Sequence, residues 1–373
     1  MIKNKFLPVS EPSITKKEIA YVTDAVKSGW VSSLGRYINE FEEGFAKYIG
    51  TKYALTTCNG TVALHLAMAS LKLKAGDEII VPDLTFIATA NAVTYLGAKA
   101  VMVDVQENTW CIDPVAVKKA ITSKTKAIVP VHLYGHPAQM DAILEIAKKY
   151  GLFVIEDAAE SHGAFYKSQK VGAIGDCGVF SFYGNKIITT GEGGMITTNS
   201  VELYERAKFL RDHAMSSTKR YWHTEVGFNY RITNLQAAMG LAQLERIDSL
   251  IEKKRKVFSW YKQFLKGVSG ISLNEQQPWG QSVYWMMCVV LDRKVGHFRE
   301  KIMKRLKEQG IDSRPFFYPI TQMEMYASKR SNPISYDISY RGFNLPSSTC
   351  LSQNDVKRVC RELKQILCEV CSS

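Results

Sequence analysis

The chain has 373 residues, enough for two domains, and at 46% hydrophobic and 23% charged it carries the apolar material for a sizeable core. It has no run of about 18 apolar residues, which excludes a membrane-spanning helix, and no apolar stretch follows Met1-Ile2-Lys3-Asn4-Lys5 as a secretory leader requires, so a cytoplasmic protein is expected. The net charge of +12 fits a nucleic-acid binder or an enzyme for anionic ligands, but it is spread along the chain, and no recognition helix or zinc-finger pattern accompanies it.

In chain order, Thr15 and Glu18 have capping-box spacing, Ile19, Val22 and Val26 form an apolar stripe, and Gly29 follows as a stop; a first helix is predicted there. A second helix covers residues 37–48, with Ile38, Phe41 and Phe45 on one face. Strands are predicted at 53–57, 78–81, 99–103, 127–131, 153–156, 179–182 and 195–198, with helices opening near Thr61 and at Asp113-Pro114. Short apolar strands alternating with helical patterns predict a mostly parallel sheet between helices. From Leu235 to about Leu265 the pattern is one long helix. Beyond it come a strand at 284–291 and helices at 298–309 and 356–370. The expected division is an N-terminal arm and large domain over 1–249 and a smaller α+β domain over 250–373.

The eight cysteines are scattered. Cys58, Cys111, Cys177 and Cys288 lie in or beside apolar stretches and read as small buried hydrophobes. Cys368 and Cys371 have C-x-x-C spacing without the second pair or histidine that zinc needs, and no metal is expected.

Four segments carry chemistry. Phe153-Val154-Ile155-Glu156-Asp157 is an apolar strand ending in an acid, and ligands of open α/β sheets bind at carboxyl strand ends; Asp157 is either a ligand group or the cap of a following helix. Ser181-Phe182-Tyr183-Gly184-Asn185-Lys186, followed by Gly191-Glu192-Gly193-Gly194, runs a strand into a loop with one lysine. Lys186 is either an ion-pair partner or a Schiff-base lysine whose pyridoxal 5′-phosphate (PLP) keeps its ring nitrogen protonated against Asp157. Cys58-Asn59-Gly60-Thr61 joins a strand to a helix, which makes either an ordinary cap or a phosphate cradle, with Ser181 as a second donor. Phe86, just past a strand end in Val81-Pro82-Asp83-Leu84-Thr85-Phe86, either stacks on a ring or packs in the core.

Together these segments resemble the sugar-nucleotide aminotransferases of PLP fold type I. The likeness runs through Asn59-Gly60-Thr61, Glu156-Asp157-Ala158-Ala159-Glu160, the lysine–glycine motif, Gly227-Phe228-Asn229-Tyr230-Arg231 and residues 235–244, and so covers nearly the whole chain. It implies a large domain with a mixed seven-stranded sheet, and amino transfer from an amino acid, L-glutamate by expectation, to a nucleotide-activated keto sugar. Lys186 would hold PLP, Asp157 would pair with the ring nitrogen, Glu160 would lie near the ring hydroxyl, and Phe86 would stack on the ring. Gly60, Thr61 and Ser181 would bind the phosphate. Asn229 would reach it from a neighbouring subunit, making a homodimer with shared sites, with Arg231 on the substrate diphosphate.

Within the family, Gly29-Trp30-Val31-Ser32-Ser33, Val131-His132-Leu133-Tyr134-Gly135, residues 182–190, Arg220-Tyr221-Trp222 and residues 310–315 resemble the perosamine-forming branch, which aminates a GDP-linked 4-keto-6-deoxymannose for cell-surface polysaccharides. Trp30, Ser32, Arg231, Arg314 and Tyr318 are the candidate substrate contacts. Ser161-His162 departs from the smaller apolar residues expected in that branch; His162 either faces the sugar or packs. The alternatives are a transaminase for a UDP- or dTDP-linked keto hexose or an oxidised eight-carbon sugar acid, and a non-catalytic nucleic-acid-binding regulator that rests on charge alone.

Overall fold

The computed structural model describes residues 5–328 and 331–371; the leader reading at Met1–Asn4 and the side chain of Cys371 lie outside them. Thr15 caps α1 (Lys16–Lys27) with the full capping box, Glu18 reaching back to the Thr15 backbone. The predicted stripe is only half right, because Ile19 and Val26 face outward at 60% and 55% exposure and Ala25 is the apolar residue that packs inward. Helix α2 (Arg36–Ile49) buries Ile38, Phe41 and Phe45 as expected.

The sheet is then laid down as β1 (Tyr53–Thr57), α3 (Gly60–Ser70), β2 (Glu78–Pro82), α4 (Ala88–Tyr95), β3 (Lys99–Val103), α5 (Pro114–Ala120), β4 (Thr125–Ile128), α6 (Met140–Tyr150) and β5 (Phe153–Asp157). Two short strands, β6 (Phe165–Tyr166) and β7 (Gln169–Lys170), form a hairpin before β8 (Cys177–Ser181), β9 (Gly194–Thr198) and α7 (Val201–Arg211). The sheet order is β1-β9-β8-β5-β4-β2-β3. Strands β3, β2, β4, β5 and β8 are parallel neighbours, and β9 runs antiparallel to both β8 and β1. This is the expected seven-stranded, mostly parallel sheet. Its strands are buried along most of their length, as helices on both faces require.

The long helix predicted from Leu235 is two helices, α8 (Asn234–Leu244) and α9 (Ile247–Phe264), broken at Glu245-Arg246. No proline sits there. The break is where the N-terminal arm docks: Arg246 Nη2 donates to the Ser13 carbonyl and hydroxyl, its Nε pairs with Glu18, and Gln243 Nε2 donates to the Ser13 carbonyl and to Glu18. The remaining elements are β10 (Ile271–Leu273), β11 (Gly280–Gln281), β12 (Met287–Leu291), α10 (Arg299–Glu308), β13 (Arg314–Pro315), α11 (Pro333–Arg341), β14 (Gly342–Leu345) and α12 (Gln353–Cys371). β12 starts three residues later than predicted, because Tyr284 turns the chain with a φ of 49°. A second sheet, all antiparallel, has the order β10-β12-β14-β13, and β11 adds to the hairpin.

The first turn of α9 packs Ile247, Leu250 and Ile251 into the core of the large sheet. Its later turns bury Val257, Phe258 and Tyr261 against α12 and the second sheet, and Leu7 of the N-terminal arm joins that second core. Cys111, Cys177 and Cys288 are buried as expected, whereas Cys58 is only half-buried.

Candidate active site

The carboxyl ends of the parallel strands share one edge of the sheet, and β9 begins on that edge. The loops there surround a cavity of about 730 Å³, which Gly60, Thr61, Phe86, Asp157, Glu160, Ser181 and Lys186 line together. Seven residues from four strand exits, separated by up to 126 positions, meet because each parallel strand delivers its exit loop to the same side.

The Lys186 amine is the centre of the arrangement. Its side chain is largely buried, and Nζ lies 3.7 Å from Glu160 Oε1 and 4.0 Å from the centre of the Trp285 ring. Burial pulls the amine's proton affinity down, opposed by the charges of Glu160 and Asp157. Asp157 ends β5. The residues after it form a turn and not a helix, so the capping reading fails. Its Oδ2 accepts from the Thr89 hydroxyl at 2.8 Å and its Oδ1 from Ala159 N–H. Burial raises its proton affinity, while those hydrogen bonds and the Lys186 charge lower it. Glu160, buried and accepting from Tyr134 N–H at 2.8 Å, is pushed up to about 7 by burial.

Asn59 caps α3, its Oδ1 accepting from Val62 N–H at 3.0 Å. The N–H groups of Gly60 and Thr61 lie in the first turn, where a helix has no internal acceptor for them. A Cβ on Gly60 would come within 2.8 Å of Ser181 Cβ, so only glycine lets this helix start press against the end of β8. The donors of a helix start and a neighbouring hydroxyl thus converge on one end of the cavity, and a buried lysine and carboxylate on the other. That donor set fits PLP, whose phosphate needs N–H and O–H groups and whose ring needs an amine and an acid.

Phe86 is not core. It stands 54% exposed on the cavity wall, 5.7 Å from the Phe317 ring. A second cavity of about 340 Å³ shares Phe86, Asn185, Trp285 and Arg314 with the first and adds Tyr318. Of the remaining sequence candidates, Trp30 borders a separate hollow of about 440 Å³ with Asn234. Asn234 ties that region together by donating to the Trp30 and Ser32 carbonyls. Within one chain, neither Trp30 nor Ser32 meets Lys186. Asn229 accepts from Arg231 Nη2 at 2.8 Å, and Arg231 also pairs with Asp212; neither residue lines the Lys186 cavity of its own chain. His162 is a correction. Its ring is fully buried beside Phe180 and Phe182 and makes no hydrogen bond, although the Ser181 backbone is close enough to influence it. It packs behind the strands and does not line the cavity.

Sequence reasoning missed Thr89, Trp285 and Phe317. Thr89 lies in a helix with no motif of its own, and Trp285 and Phe317 come from the chain just before β12 and just after β13 of the second sheet. Only the fold brings them near residue 186.

Residues 12–364 match the DegT/DnrJ/EryC1/StrS aminotransferase family. The chain belongs to this family and is a PLP-dependent sugar aminotransferase. It is 44% identical to the GDP-perosamine synthase of Escherichia coli O157:H7 over 97% of this chain and 98% of that one. It is 45% identical to the GDP-perosamine synthase of Caulobacter vibrioides, over the same shares. Among solved structures it is similar to Helicobacter pylori PseC, an aminotransferase of pseudoaminic acid biosynthesis, with a TM-score of 0.93 and 26% identity over 98% of this chain and all of that one. Among the described residues no helix is long and apolar enough to cross a membrane, and no cluster could hold a metal ion.

Proposed function

We propose that this enzyme moves an amino group from L-glutamate to the keto carbon of GDP-4-keto-6-deoxymannose, giving GDP-perosamine, and that it works as a homodimer with shared sites. The observation that carries the reading is the buried Lys186 amine in one cavity with Asp157, Glu160 and the helix start at Gly60. The near-full-length likeness to two GDP-perosamine synthases supports the choice of sugar.

Bound PLP supplies an aldehyde that bonds to amines and a protonated ring that draws electrons from the substrate carbon. Asp157 holds the ring nitrogen's proton by its charge, and Thr89 fixes the Asp157 carboxylate from behind. Glu160 would lie near the ring hydroxyl and Phe86 would stack on the ring. Gly60, Thr61 and Ser181 bind the phosphate, with Asn229 of the partner subunit completing the cradle and Arg231 of the partner subunit on the substrate diphosphate. Lys186, whose amine faces the cavity, would carry the proton between the substrate carbon and the cofactor's C4′ in both half-reactions. Arg314 and Tyr318, at the junction with the second cavity, contact the nucleotide sugar. The large domain covers residues 1–249 and the small one 250–373, so that the boundary falls in the first turn of α9.

Lys186→Ala is expected to abolish turnover and the absorbance band of the lysine-bound cofactor; a variant that keeps both removes this reading. A panel of GDP-, UDP- and dTDP-linked 4-keto-6-deoxyhexoses with L-glutamate tests the sugar. The GDP-linked mannose derivative should exceed the others by at least about tenfold in kcat/KM, roughly the discrimination of one good polar contact. Equal rates across the panel would leave the transaminase and remove the perosamine assignment.

A further inference from the structure

We propose that Trp285 is a positioning residue for Lys186: its indole face is the berth on which the lysine amine rests whenever that amine is not bonded to the cofactor. The inference rests on the assignment of Lys186 made above. Every turnover frees Lys186 from the cofactor and asks it to carry a proton, so a long flexible side chain must hold a charged amine in place inside a buried cavity.

Two groups flank that amine. Glu160 Oε1 is 3.7 Å away and the Trp285 ring centre 4.0 Å away. An aromatic face attracts an ammonium ion, and more strongly where water is excluded. The indole is itself held at several points. Its Nε1–H donates to the Asn185 carbonyl, next to the lysine, at 2.8 Å. The backbone carbonyl of Trp285 accepts from the buried Lys254 amine at 2.9 Å. Its ring stacks on Tyr134, with centres 6.2 Å apart and planes 19° apart. Tyr134 is fixed in turn, donating its N–H to Glu160 and accepting at its hydroxyl from Phe317 N–H at 3.2 Å. Trp285, Tyr134 and Glu160 therefore form one immobile unit around the amine, and holding a reacting group in place before reaction lowers the barrier.

The other groups near the amine are Asp157, at the end of β5, whose charge favours the ammonium, and His162, which burial keeps neutral behind β8. Tyr134 faces it through Glu160 with its hydroxyl turned away to Phe317.

The test compares Trp285→Phe, which keeps an aromatic face and loses the N–H, with Trp285→Leu, which loses both. The first readout is loading: PLP is added to cofactor-free full-length chain, and the rise of the lysine-bound absorbance band is followed from pH 6 to 10. Losing the face disfavours the ammonium, so Trp285→Leu should move the midpoint of capture down by about one pH unit, with Trp285→Phe between it and the parent. The second readout is turnover of the loaded enzyme. Trp285→Leu should lose about tenfold in kcat with the KM for the sugar unchanged within about twofold.

Unchanged midpoint and kcat in Trp285→Leu would overturn the proposal. So would Trp285→Phe behaving the same as Trp285→Leu, which puts the effect in the bond to Asn185. If Trp285→Leu does not fold, fluorinated tryptophans weaken the face without changing its shape, with Trp285→Phe labelled alongside as background. A graded fall in kcat with fluorination supports the berth, and a flat response overturns it. Parent enzyme without any lysine-bound band would instead remove the assignment of Lys186, so the two failures are distinct.

Discussion

His162 and Lys254 are both buried, titratable and outside the direct chemistry, yet they differ in what holds them. His162 has two ring nitrogens without partners, and burial drives its proton affinity down to about 3, so it is neutral in any ordinary buffer. A buried polar atom without a partner costs about 1–3 kcal/mol. His162→Leu is therefore expected to raise stability by about 1 kcal/mol in denaturant unfolding and leave kcat/KM unchanged; a loss of activity above about tenfold would put the ring back in contact with substrate. Lys254 makes both of its bonds, to the Trp285 and Ser347 carbonyls, and burial pulls its amine to about 7. An unfolded lysine titrates near 10.5, so between about pH 7 and 10.5 the unfolded chain binds a proton that the folded chain does not. Stability rises with pH across that window from this group. Melting temperatures taken from pH 7 to 10 should carry this rising component, and Lys254→Met should remove it. Lys254→Met should also cost about 1–3 kcal/mol through the two carbonyls left bare.

Between elements, two carboxylates just past strands of the large sheet grip the chain that follows Tyr318, whose Met323 lines the second cavity. Asp83, just past β2, accepts from the Thr321 N–H and hydroxyl and from Asn332 Nδ2. Asp104, just past β3, accepts from Ile334 and Ser335 N–H and so caps α11 from outside that helix. Removing a cap costs about 1 kcal/mol, whereas Asp83→Ala strands several buried donors and should cost about 3 kcal/mol. Limited proteolysis should then cut within residues 320–332 faster in Asp83→Ala than in Asp104→Ala; equal rates would deny the grip at Asp83. Neither grip could be read from the sequence. Asp83 stands in Val81-Pro82-Asp83 with no local motif, and its partners are about 240 residues away. What was legible was local: the Thr15 capping box, the Asp113-Pro114 helix start, the β1 and β3 strands to the residue, and the lysine–glycine loop. The α8–α9 break was not, because nothing at Glu245-Arg246 opposes a helix; Ser13 and Glu18 draw the Arg246 side chain away, and Lys17 and Tyr21 that of Glu245, from more than 220 positions upstream. The same holds for the site. Lys186 and Asp157 were marked by strand ends, but Trp285 reads as one more apolar residue inside the strand predicted at 284–291.

At the scale of the molecule, the outward residues of α1 and its following loop make an unusual surface. Ile19, Val26, Trp30 and Leu34 are all more than half exposed. Apolar side chains gathered like this mark an interface, in keeping with the proposed homodimer. Ile19→Asp combined with Val26→Asp should split the proposed dimer in sedimentation velocity and lower activity, as the proposed sharing of sites requires; an intact dimer would move the interface elsewhere. The first described residues have a quite different job. Leu7 pairs with Ile311, Asp312 N–H donates to the Leu7 carbonyl, Ser347 N–H donates to the Val9 carbonyl, and the Ser10 hydroxyl reaches the Asn185 carbonyl at 3.3 Å. These residues are thus sewn to the chain beside β13 and β14 and finish one peptide unit from Lys186. For anyone preparing this enzyme, deleting the first ten residues would therefore unpick a seam beside Lys186 itself.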